Sequence, residues 1–68
     1  MPNNVRSARA KKLWSQEKLA AEAGVALKTV SFVERGVVRP NVLTQEKLAR
    51  ALGVERTDLF PEPAEVSA

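Results

Sequence analysis

Between Gln16 and Arg35 the chain reads Gln-Glu-Lys-Leu-Ala-Ala-Glu-Ala-Gly-Val-Ala-Leu-Lys-Thr-Val-Ser-Phe-Val-Glu-Arg, and no other stretch restricts its fold as sharply. Two helical patterns are separated by only three or four residues, so their axes must cross steeply and at close range. Such a crossing needs a small side chain where the helices meet, a residue tolerant of positive φ at the start of the turn, and an aliphatic plug beneath it. Ala20, Gly24 and Val25 occupy these three structural positions, and Leu19, Ala23, Val30 and Val33 are spaced to fill the wedge between the helices.

The flanking sequence is helical as well. A first helix is expected from an N-cap at Asn3 or Asn4 to about Lys12 or Leu13, with Val5 and Ala8 inward and Arg6, Arg9, Lys11 and Lys12 outward. Ser15 is the N-cap of the second helix, its hydroxyl placed to accept the backbone N–H of residue 17 or 18, and Gly24 ends that helix. The third helix is expected over Leu27–Arg35. Ala26 caps it poorly, at a cost of ~1 kcal/mol against serine. Asn41 starts a fourth, with Val42, Leu48, Ala49 and Leu52 as its core stripe and Gly53 as its stop, and a short fifth helix spans Arg56–Phe60. Strand signals are nearly absent, since the one β-branched pair, Val37-Val38, is fenced into a loop by Gly36 and Pro40. The expected architecture is all-α, a compact bundle of five helices over residues 1–60, with 61–68 as a flexible C-terminal tail.

Composition narrows the function. At 68 residues, 44% hydrophobic, the chain suits one small globular domain. It contains no histidine or cysteine, and Asp58 is its sole aspartate. That removes the usual general base, the thiolate metal ligands and the partners of a nucleophilic serine, so no catalytic residue, no metal site and no cofactor is expected. No apolar run approaches the ~20 residues of a membrane span. No small-molecule ligand is evident. The net charge is only +3, but the first twelve residues carry Arg6, Arg9, Lys11 and Lys12 with no acid, whereas Glu62 and Glu65 make the tail acidic. A basic head suits an anionic partner met on one face.

Six segments together carry a family resemblance: Trp14-Ser-Gln-Glu-Lys-Leu-Ala20, Ala23-Gly-Val25, Thr29-Val-Ser-Phe-Val-Glu-Arg-Gly36, Arg39-Pro-Asn41, Lys47-Leu-Ala-Arg-Ala-Leu-Gly-Val54 and Thr57-Asp-Leu-Phe60. Over roughly residues 4–60 the chain resembles the phage Cro and repressor type helix-turn-helix regulators, the lambda-repressor-like DNA-binding domains. The resemblance implies a cytoplasmic, nucleoid-associated repressor of transcription that binds double-stranded DNA as a homodimer on a near-palindromic operator. Its third helix would lie in the major groove, with Leu27, Lys28, Ser31 and an exposed Phe32 reading bases. Arg9, Gln16, Arg35 and Arg39 would hold phosphates, and a partly exposed Arg9–Glu34 pair would bridge the first and third helices. Trp14 would be core, and Leu59, Phe60 and the tail would pair two copies. The sequence departs from the family pattern at Ala26, Leu27, Phe32 and Arg35. The alternative is a protein-interaction module of the same fold, either a bridging adaptor or a helix-turn-helix antitoxin.

Overall fold

Ser15 and Asn41 open the two best-capped helices of the computed structural model, which describes residues 3–61. The Ser15 hydroxyl accepts the Lys18 N–H at 3.0 Å, and the Asn41 side-chain oxygen accepts that of Thr44 at 2.9 Å. Among the described residues the chain forms five helices and no strand: α1 (Val5–Lys11), α2 (Gln16–Ala23), α3 (Leu27–Glu34), α4 (Val42–Leu52) and α5 (Arg56–Leu59). Gly24 and Gly53 close α2 and α4 in the left-handed conformation, at φ 72 and 73. Both provide at their helix ends what an L side chain resists.

The core is one cluster drawn from every helix: Val5, Leu19, Ala20, Val30, Val33, Leu48, Ala49, Leu52, Leu59 and Phe60. Trp14, Ala23 and Val25 pack against its edge. α2 lies against both α3 and α4, so the helix that ends at Gly24 is central to the packing. Asn4 joins the first helix to the last, its backbone N–H donating to the Leu59 carbonyl and its side-chain amide to that of Asp58, each at 2.8 Å.

Three expectations need correction. α1 stops at Lys11, and Leu13 beyond it takes φ 59 with its side chain 92% exposed. Val42 is not part of the α4 core stripe; it is 55% exposed, and Gln45 takes the buried place on that face. The Gln45 amide is satisfied at both ends, donating to the Pro40 carbonyl at 2.8 Å and accepting from Arg56 at 2.9 Å. Leu59 and Phe60 are each 1% exposed, so they fill the core and offer no face to a second copy. Residues 62–68 of the expected tail lie outside the described residues. No described helix is long and apolar enough to cross a membrane.

Candidate nucleic-acid interface

Arg9 projects from α1 toward the C-terminal end of α3, where Glu34 meets it with a two-pronged ion pair. Nε donates to one carboxylate oxygen at 2.6 Å and Nη2 to the other at 3.0 Å. Nη1 donates to the Trp14 carbonyl at 2.7 Å, which fixes the guanidinium plane against the start of α2. Gln16, the first residue of α2, adds its side-chain N–H to Glu34 at 3.0 Å. One carboxylate thus orients an arginine from α1 and an amide from α2 together. A guanidinium has five N–H donors, so Arg9 keeps two beyond those it has spent here.

The pair is more buried than the sequence led us to expect: the Arg9 side chain is 17% exposed and that of Glu34 only 4%. Burial alone would push the Glu34 carboxyl up. The hydrogen bonds from Arg9 and Gln16, with the charges of Arg9 and Arg6, outweigh it and hold the group below its ordinary value. On the other side, the hydrogen bond from Glu34 raises the Arg9 value despite the opposing effect of burial.

Around this network runs a cleft of about 320 Å³ lined by Arg6, Arg9, Gln16, Glu34 and Arg35. Three guanidiniums face one carboxylate, so the cleft carries a surplus of positive charge and of N–H donors, the chemistry that suits a phosphate oxygen. Arg9, Gln16 and Arg35 are therefore brought together. Arg39 is not among them; it stands exposed on the loop after α3. Arg6 was missed as a site residue, although its i, i+3 spacing from Arg9 places the two on one face of α1.

Along α3, Val30 and Val33 face the core, leaving Leu27 and Lys28 exposed and Ser31 partly so. Phe32 is half-buried, not exposed. The Lys28 ammonium lies 5.9 Å from its ring centroid and the Arg35 guanidinium 5.3 Å, so the ring supports two cations along the helix face. Ala26 gives α3 no side-chain cap. Among the described residues no group of three or more histidine, cysteine, aspartate or glutamate side chains could hold a metal ion.

The sequence matches the helix-turn-helix family model over residues 5–59. It is 37% identical over 60 residues to YgzD of Bacillus subtilis, described as an uncharacterized HTH-type transcriptional regulator, covering 88% of this chain and 91% of that protein. An uncharacterized HTH-type transcriptional regulator of Archaeoglobus fulgidus is also 37% identical over 60 residues, covering 88% of this chain and 86% of its own length. A Neisseria meningitidis protein described as a hypothetical transcription factor is 42% identical over 62 residues, covering 91% of this chain and 58% of that protein.

Proposed function

This chain belongs to the Cro and repressor type helix-turn-helix family, and on that premise we propose that it is a DNA-binding transcriptional regulator acting as a repressor. In this reading α3 enters the major groove, and Lys28 donates to guanine O6 and N7. Leu27 packs on a thymine methyl, while Ser31 and the edge of Phe32 complete the reading face. Arg9, Gln16, Arg35 and Arg39 hold the backbone on either side, with Arg6 joining them. One recognition helix reads too few base pairs to select a genomic site, so two copies act on a near-palindrome with half-sites about one helical turn apart.

The observation that carries this reading is the cleft of Arg6, Arg9 and Arg35 around the Glu34-oriented Gln16, at the C-terminal end of the same α3 whose first turn is exposed. A phosphate seated there would be held while Leu27 and Lys28 face the base edges. Titration of random duplex DNA at two salt concentrations, followed by selection of bound sequences from a random pool, tests it. Salt-sensitive binding and enrichment of a twofold-symmetric sequence are expected. No retention of any duplex at low salt would leave the interaction-module reading in its place.

A further inference from the structure

Gln45 is the one described polar residue that is buried as a whole, 2% exposed on the core face of α4. It grips two successive carbonyls of the loop that follows α3. Its backbone N–H donates to the Asn41 carbonyl at 2.9 Å, and its side-chain amide donates to that of Pro40 at 2.8 Å. From α5 the Arg56 guanidinium donates to the amide oxygen at 2.9 Å. A guanidinium can only donate, so it takes the oxygen and leaves the NH2 group facing Pro40. Arg56 thereby fixes which way round the Gln45 amide stands.

The same helix face buries Leu48, Ala49 and Leu52, so an apolar side chain would fill the place of Gln45 and packing does not account for an amide there. What the amide adds is its hold on Pro40, and the next residue back is Arg39. Proline locks its own φ and restricts the residue before it to extended angles. With Pro40 buried and held, few backbone directions remain to Arg39. The start of the loop is tied separately, by the Val37 N–H to the Phe32 carbonyl at 3.0 Å. Arg39 lies between these two holds and is exposed. We propose that Gln45, oriented by Arg56, is a positioning residue that aims Arg39 at the DNA backbone. The proposal rests on the DNA-binding reading and extends it through a chain of contacts from α5, across the α4 core, to a phosphate. Without the amide, the Pro40 carbonyl loses its buried donor, and the loop must shift to reach water, carrying Arg39 with it.

Gln45→Met keeps an unbranched side chain of similar length but has no N–H to give. Thermal melting checks that it folds, and Arg56→Met, which releases the other end of the amide, is read in the same way as a second variant. Without DNA, the backbone NMR order parameter of the Arg39 amide should fall from about 0.8 in the parent to about 0.6 or below in Gln45→Met. With random-sequence duplex, fluorescence anisotropy should show Gln45→Met and Arg39→Ala each binding about fivefold more weakly, and the double variant losing no more than the larger single loss. Each change should also flatten the log–log salt slope by about one per copy. An Arg39 amide as rigid in Gln45→Met as in the parent, parent-like duplex binding, or losses that multiply in the double variant overturn the proposal. A parent that binds no duplex, with Arg39 loosened by Gln45→Met, would keep the positioning and discard the DNA reading.

Discussion

At Gly24 a Cβ would meet nothing within 4 Å, so what excludes a side chain there is its backbone angle, φ 72, and not a clash. An L-residue held in that region costs ~1–2 kcal/mol, and a β-branched one more. Gly24→Ala should therefore lower stability by about 1 kcal/mol and Gly24→Val by more, read from denaturant or thermal melting. Equal stability of Gly24→Ala and the parent would mean the turn readily adopts another geometry. Lys28 on α3 and Arg39 on the loop after it should fail differently. Lys28→Ala would remove the proposed base-edge donor and should relax preference by ~1–3 kcal/mol at one position of each half-site. Arg39→Ala should weaken all duplexes alike, and competition with single-base operator variants separates the two. If both losses are uniform across sequences, Lys28 holds phosphate and the preference lies with Leu27, Ser31 and Phe32.

Among the elements, α1 depends most on one side chain from elsewhere. Its Arg9 is clamped by Glu34 of α3, and removing one partner of so buried a pair leaves the other with unmet donors. Glu34→Gln should cost ~1–3 kcal/mol of stability and weaken DNA binding as well, since it frees both Arg9 and Gln16. The pH dependence has a definite sign. Because the folded carboxyl titrates below its ordinary value near 4.5, its contribution is complete above that pH and is lost as the pH falls through the folded value. The parent should soften on acidification below about pH 4.5, and the Glu34→Gln melting curve should change less there. A parallel acid response would show that other carboxylates dominate. The helices were legible in the sequence because their ends are written in single residues: Ser15, Gly24, Asn41 and Gly53. The phase of α4 was only partly so. Val42 is the more apolar residue, yet it sits in the first turn, where its side chain leans back beyond the core. Gln45 lies three and four residues before Leu48 and Ala49 on the buried face, and its amide is tolerated there through Pro40 and Arg56. Hydropathy ranks side chains one at a time and does not register partners supplied from another element. For the same reason the cleft was legible only in part: Arg9, Gln16 and Arg35 could be named, but not the burial of Glu34 that joins them.

For the whole molecule, the arginines set how binding responds to salt. Three or four of Arg6, Arg9, Arg35 and Arg39 per copy would neutralise about six to eight phosphates in a pair, giving a log–log salt slope of roughly −5 to −7. That is a loss of about a thousandfold or more between 50 and 200 mM salt, measurable by fluorescence anisotropy. A slope near −3 with one copy per duplex would describe a monomeric binder. The Asn4 bonds to Asp58 and Leu59 have a bearing on time as well as on structure. They close a loop that spans nearly all the described chain, whereas the contacts around the Gly24 turn are local. Loop closure of that length is slow to be repaid, so the two ends should join last in folding and part first in the native state. In hydrogen exchange, the amides of α1 and α5 should open as one unit, at a lower free energy than those of α2 and α4. Arg9 travels with α1 in each such opening. The time the two ends spend apart is then also the time for which the arginine-lined cleft is missing one of its walls.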